Sequence, residues 1–184
     1  MNDDSQEIEV KYQVTDTEAL LGALKRAGVS LRAAVRQDDQ AYAPASWDYD
    51  QSKIGVPFAR LRTQTGLDGH LFTVKKPVDN ELACLEQETV VFDRDAMHQA
   101  LLLMGWAPTV RIAKTRQGGA WRGVALCVDV VDGLGTFLEL EVMVAAGRPG
   151  AAVQAELAEL AESLGVDAVR VTDTYDSLLR RVAV

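Results

Sequence analysis

The chain has 184 residues, with 48% apolar and 25% charged; that is enough for one packed domain and matches ordinary globular usage rather than disorder. Its net charge of −8 argues against a general nucleic-acid binder, which would carry a basic surplus. No run approaches the ~20 apolar residues needed to span a bilayer, so no membrane association is expected.

Met1 to Gln6 is acidic and polar and no apolar segment follows it, so no secretory signal is expected. Cys84 and Cys127 are isolated, with neither C-x-x-C spacing nor a disulfide framework, which suits a reducing cytoplasm.

The chain opens on alternating residues that predict a strand over about 6–14. A helix follows Thr15-Asp16-Thr17, carries Leu20, Leu21 and Leu24, and stops at Gly28. A second strand is expected over about 31–43. Then comes an irregular stretch from Ala43 to Pro57, with Pro44, Ser46, Asp50, Ser52 and Gly55, long enough to be a functional loop. Strands over about 57–66 and 69–77 flank Asp68-Gly69, a short-range hairpin signal, and a fifth covers about 83–92. A helix begins near Asp93-Arg94-Asp95, carries Met97, Leu101 and Met104, and stops at Gly105. Strands over about 107–117 and 120–131 flank Gly118-Gly119, read as their turn; Gly133-Leu134-Gly135 leads into a strand over about 135–144. A helix over about 151–164 ends at Gly165, and a short one follows Thr172-Asp173 with Tyr175, Leu178 and Leu179. Eight strands, mostly hairpin-linked, predict an α+β fold: an eight-stranded antiparallel β-barrel flanked by helices, in a single domain over 1–184.

Residues i and i+2 of a strand share a face. Glu7, Glu9 and Lys11 therefore point one way, and Ile8, Val10 and Tyr12 the other. One such strand describes an ordinary solvated face. Recurrence changes the balance: Arg60 aligns with Arg62, Thr73 with Lys75, Glu86 with Glu88, Lys114 with Arg116, and Glu139 with Glu141, while Asp129 joins from the seventh strand. Several strands are all-cation or all-carboxylate. A barrel of about eight strands is just wide enough to be filled by side chains or to hold one small ligand. Charges turned inward there are costly without a ligand or metal to compensate them. Arg and Lys suit phosphate oxygens, and clustered carboxylates suit Mg²⁺ or Mn²⁺. A polyphosphate needs both kinds of group.

The motifs Glu7-x-Glu9-x-Lys11, Arg60-Leu-Arg62, Thr73-Val-Lys75-Lys76-Pro77, Glu86-x-Glu88, Lys114-x-Arg116, Asp129-x-x-Asp132-Gly133-Leu134-Gly135-x-Phe137-x-Glu139-x-Glu141 and Tyr175-x-x-Leu178-Leu179 come in one order. In that order the chain resembles, over nearly its whole length, the CYTH family of triphosphate tunnel metalloenzymes. The resemblance implies an eight-stranded tunnel and an activity like those of class IV adenylyl cyclases, thiamine triphosphatases and inorganic tripolyphosphatases. It implies Mg²⁺ or Mn²⁺ as cofactor, and ATP, thiamine triphosphate or tripolyphosphate as substrate. It implies Lys11, Arg60, Arg62, Lys75, Lys114 and Arg116 on the triphosphate, and Glu7, Glu9, Asp129, Glu139 and Glu141 as metal ligands or their support. Glu7, Glu9, Lys11 and Lys75 form the implied catalytic set. A homodimer is compatible with it.

Gln37-Asp38-Asp39-Gln40-Ala41-Tyr42-Ala43-Pro44 resembles the cyclase branch most closely, but Cys84 stands where that branch usually has Arg, and the loop from Ala45 to Pro57 departs from it. Hydrolysis of a triphosphate is the first expectation, cyclisation of ATP the second, and non-catalytic sensing of a nucleotide or polyphosphate the third. His70 and His98 are expected at the surface, and no His/Cys spacing suggests zinc. The two cysteines are expected to be core or lining residues rather than nucleophiles. Trp47, Tyr49 and Phe58 offer stacking faces for a base, with plain packing as the simpler expectation.

Overall fold

The computed structural model describes residues 5–145 and 147–182; the acidic lead from Met1 to Asp4 lies outside them. Among the described residues, nine strands and four helices follow in the order β1 (Ser5–Val14), α1 (Thr17–Arg26), β2 (Val35–Pro44), β3 (Phe58–Gln64), β4 (His70–Pro77), β5 (Ala83–Val91), α2 (Arg94–Leu103), β6 (Trp106–Trp121), β7 (Val124–Val131), β8 (Gly135–Ala145), α3 (Gly150–Glu162), β9 (Ala168–Val171) and α4 (Tyr175–Val182). The sheet runs β5-β4-β3-β2-β6-β7-β8-β1, and β1 pairs back onto β5, closing an eight-stranded antiparallel barrel as the sequence predicts. Closure is short, Gln6–Ile8 against Ala83–Leu85. Lys11–Val14 of the same β1 edge are taken by the four-residue β9, too short to announce itself in the sequence.

The barrel is inverted relative to an ordinary core. Ile8, Val10 and Tyr12 face outward from β1 and meet Leu126, Val128, Leu138 and Leu140, with Leu20 and Leu24 of α1 and Val153 and Leu157 of α3 packed on them. Burying an aliphatic side chain of this size is worth ~1.5–3 kcal/mol, so this outer layer stabilises a barrel whose bore is charged. A second outer cluster joins Leu61 of β3 to Leu101 of α2, with Phe72 and Val74 beside them. Asp16 and Asp93 cap α1 and α2 by accepting from Ala19 N at 2.9 Å and Ala96 N at 2.8 Å.

Two expectations are corrected. Gly118-Gly119 is not the turn; both residues lie inside β6, opposite Cys127 and Leu126. The turn is Arg122-Gly123, with φ of 49° and 82°, the paired positive values that a tight hairpin needs. Close approach suits glycine at both positions, most tightly against backbone at Gly119: a Cβ there would lie 3.1 Å from Ser30 O, while one on Gly118 would lie 2.8 Å from the mobile end of Arg32, Nη2. The second strand also begins later than expected, at Val35; before it, Arg32 N still donates to Gly118 O of β6 at 2.8 Å, outside the regular ladder.

Candidate functional site

Strand alternation delivers the charged residues to one cavity of about 380 Å³ inside the barrel. Glu7, Glu9 and Lys11 reach it from β1, Arg60 and Arg62 from β3, Thr73 and Lys75 from β4, Glu86 and Glu88 from β5, Lys114 and Arg116 from β6, and Glu139 and Glu141 from β8. Each of these lies one or three residues from an outward apolar neighbour, so the same period of two builds the outer core and the inner wall.

On one side the carboxylates stand together. One oxygen each of Glu7, Glu9 and Glu141 lie within 4.8 Å of one another. Burial, together with the charge of Glu7, pushes the Glu141 carboxyl up to about 7. Three oxygen donors converging with too few cations between them fit a hard divalent ion such as Mg²⁺ or Mn²⁺, and nothing in the set favours a soft metal. Lys75 Nζ bridges Glu7 at 2.6 Å and Glu86 at 2.8 Å. Burial opposes its charge, but those two carboxylates raise its ammonium above the ordinary lysine range.

The opposite arrangement holds across the bore. Arg62, 5% exposed, is clamped by Asp39 through bonds of 2.7 Å from both Nε and Nη2. Arg60 Nη2 donates to Thr73 Oγ1 at 2.9 Å, while its buried Nε has no partner. Arg60 lines the cavity wall, where a guanidinium suits the oxygens of an anion. Lys11 lies 3.2 Å from Glu9 and 3.4 Å from Glu139. Glu139 also pairs with Arg116. Burial works against its ionisation, but Arg116, Lys11 and Lys114 hold it well below the usual carboxylate range.

Asp129 stands apart from the other carboxylates expected at the metal. It is fully buried and does not line the cavity. It accepts from Lys114 Nζ at 2.6 Å, from Arg116 Nε and Nη2 at 2.7 and 2.6 Å, and from the Tyr175 hydroxyl at 3.2 Å. Its oxygens are spent on orienting two cations. Glu139 is similarly engaged, so the cluster open to a metal is Glu7, Glu9 and Glu141.

Sequence reasoning assigned no role to several lining residues. Asp39 was visible only within a motif; its partner Arg62 became apparent on pairing β2 with β3, where the two residues stand opposite each other. Lys53, in the loop before β3, is 7% exposed and reaches Thr174 Oγ1 at 2.7 Å and Ser177 Oγ at 2.6 Å. Nothing in the loop's spacing marks it. Trp47, Tyr49 and Phe58 form one cluster on the cavity wall, with Trp47 centred 4.8 Å from Tyr49 and 4.9 Å from Phe58. His98 bonds the Tyr42 hydroxyl at 2.8 Å and His70 bonds Thr63 at 2.9 Å; neither lines the cavity. Burial pushes the thiols of Cys84 and Cys127 up to about 12, which leaves both poor nucleophiles.

Such a fold, with cations and carboxylates lining one bore, defines the class of charged-tunnel β-barrels. The chain belongs to the CYTH domain family, whose model matches residues 5–175. Members of that family are metal-dependent triphosphatases or adenylyl cyclases acting on small triphosphates such as ATP. A Methanocaldococcus jannaschii protein provisionally named an adenylate cyclase is 25% identical over 163 residues, covering 87% of this chain and 90% of its own. A Pyrococcus horikoshii OT3 protein superposes with a TM-score of 0.79 at 22% identity, over 95% of this chain and 99% of that one. A provisionally named adenylyl cyclase from Hippeastrum, with a stated dominant triphosphatase activity, superposes with a TM-score of 0.65 at 16% identity, over 96% of this chain and 95% of that one. At these identities the two structures bear on the fold alone. Among the described residues, no helix is long and apolar enough to cross a membrane.

Proposed function

We propose that this protein is a divalent-metal-dependent triphosphatase that hydrolyses a nucleoside, organic or inorganic triphosphate inside the barrel. The observation that carries the reading is one cavity in which Glu7, Glu9 and Glu141 converge within 4.8 Å while Arg60, Arg62, Lys75, Lys114 and Arg116 line the same bore. A bound Mg²⁺ or Mn²⁺ would neutralise the carboxylates and polarise phosphate oxygens. Glu7, Glu9 and Glu141 would hold it. Arg60 and the N–H groups of Arg62 that Asp39 does not take bind phosphate oxygens, and Arg116 and the lysines Lys11, Lys75 and Lys114 meet the charge spread over the transferring group. In-line attack by water held near the carboxylate side then transfers the terminal phosphoryl group to that water, its proton passing to a carboxylate, while the leaving diphosphate is stabilised by cations already in place. Asp129 keeps Lys114 and Arg116 from reorienting during the step.

The second reading is a class IV adenylyl cyclase, in which the ribose hydroxyl replaces water and attacks the α-phosphorus, releasing pyrophosphate. The aromatic wall of Trp47, Tyr49 and Phe58 favours it, since a nucleotide base stacks on such faces.

Product separation tests both. Purified protein is incubated with ATP, thiamine triphosphate or tripolyphosphate, with Mg²⁺ or Mn²⁺. Orthophosphate release is expected; cyclic AMP with pyrophosphate selects the second reading, and tight binding without turnover overturns both.

A further inference from the structure

Lys11 and Lys114 bind phosphate in the proposed function, yet each is only 2% exposed. Neighbouring carboxylates balance their charge and draw each ammonium to one side, but an ammonium is a compact charge on a flexible stem, so a second contact adds to that orientation. Both ammoniums share one further contact. Lys11 Nζ lies 4.3 Å and Lys114 Nζ 4.8 Å from the centroid of the Tyr175 ring, within cation–π range and away from water, where the attraction is strongest.

That ring is itself fixed. Its hydroxyl donates to Asp129 at 3.2 Å, and Phe137 meets it at 5.1 Å with the planes 74° apart. Tyr175 opens α4, and the start of α4 is held by a loop that joins two barrel strands. Lys53 Nζ, from the loop between β2 and β3, contacts Thr174 at 2.7 Å, Asp176 at 3.1 Å and Ser177 at 2.6 Å, on both sides of Tyr175, and pairs with Glu81 at 3.2 Å. A buried cation with this many oxygen partners fixes its surroundings strongly.

We infer that Tyr175 is a positioning residue, its ring setting the two ammoniums of Lys11 and Lys114 for the phosphate chain, and that Lys53 holds Tyr175 in place by clamping the start of α4. The inference rests on the triphosphate reading. The 45–57 loop thereby acts on the phosphate-binding cations through α4, without needing to touch the phosphate.

The test is calorimetric titration of the full chain with tripolyphosphate, comparing wild type, Tyr175→Phe, Tyr175→Leu, Lys53→Met and the Lys53→Met/Tyr175→Leu double variant, with folding followed by circular dichroism. Losing two desolvated cation–π contacts corresponds to roughly tenfold or more in Kd. Tyr175→Leu and Lys53→Met are each expected to weaken binding by about that factor. Tyr175→Phe, which keeps the ring, is expected to recover to within about threefold of wild type. The double variant should bind no worse than the weaker single one, because both act through the same ring. Equal affinity of wild type and Tyr175→Leu overturns the inference and leaves the function standing, as does an equal loss in Phe and Leu variants. If Tyr175→Leu does not fold, unchanged affinity in Lys53→Met overturns it. Absence of binding by wild type overturns the triphosphate reading, and with it the inference.

Discussion

Asp39 and Arg62 face each other across the β2–β3 pairing and are joined by two bonds of 2.7 Å, both side chains nearly sealed from solvent. The pair does two things: it holds Arg62 in a fixed orientation at the cavity, and it neutralises the cation while no anion is present. Burial opposes ionisation of Asp39, but the Arg62 bonds and charge lower its pKa below the ordinary value. Removing one partner of a buried pair costs ~3–5 kcal/mol. Asp39→Ala is therefore expected to lose about 3 kcal/mol in urea unfolding. Tripolyphosphate should raise the Tm of the variant more than that of wild type, since the anion takes the place of the missing carboxylate. Equal thermal shifts would contradict this role.

A second prediction concerns the metal. Glu7→Gln, Glu9→Gln and Glu141→Gln each remove one carboxyl group from the convergent cluster while keeping its volume. Each should weaken Mn²⁺ binding at least tenfold, since even outer-shell changes cost ~10–100-fold. Asp129→Asn should disturb the Lys114 and Arg116 geometry and lower triphosphate affinity, with Mn²⁺ affinity close to wild type. Titration of Mn²⁺ followed by electron paramagnetic resonance separates the two classes.

Proton linkage gives a third. Burial and the neighbouring Arg116 bring Lys114 down to about 8, against the opposing pull of Asp129 and Glu139. Above that pH the free protein holds Lys114 neutral, and a bound polyanion favours the protonated form. Tripolyphosphate binding should therefore take up protons between about pH 8 and pH 9 and weaken as pH rises through that window. At pH 6 Lys114 is already charged and contributes no uptake. Calorimetry in two buffers of different ionisation enthalpy reads the proton count; uptake independent of pH would contradict the assignment.

The aromatic wall supplies a fourth. Trp47→Ala removes a face centred 4.8 Å from Tyr49 and 4.9 Å from Phe58. If it meets the organic part of the substrate, KM for ATP should rise by about tenfold, since base stacking on an aromatic is worth ~1–3 kcal/mol. KM for tripolyphosphate, which has no ring, should hardly move.

Much of this was legible in the sequence because the barrel repeats one rule. Period-two alternation assigns Glu7, Arg60, Lys75, Lys114 and Glu139 to one face without any knowledge of pairing. What alternation does not give is which inward charges meet. Asp129 shares the inward face yet sits beneath Lys114 and Arg116, because β6 and β7 pair Arg116 directly opposite Asp129. Lys53 was illegible for another reason: it lies in an aperiodic loop, and its partners Thr174, Asp176 and Ser177 are more than a hundred residues away. Gly118-Gly119 misled because glycine serves turns and close backbone approach alike, and only packing tells which.

In the proposed function one bore holds a divalent cation on its carboxylate side and a triphosphate on its cationic side. A crystal of the protein grown with Mn²⁺ and tripolyphosphate, measured for anomalous scattering at the manganese edge, tests it directly. An anomalous peak is expected among the carboxylates of Glu7, Glu9 and Glu141, with phosphate density reaching Arg60 and Arg62. Manganese bound only on the outer surface, or phosphate density outside the barrel, would contradict it.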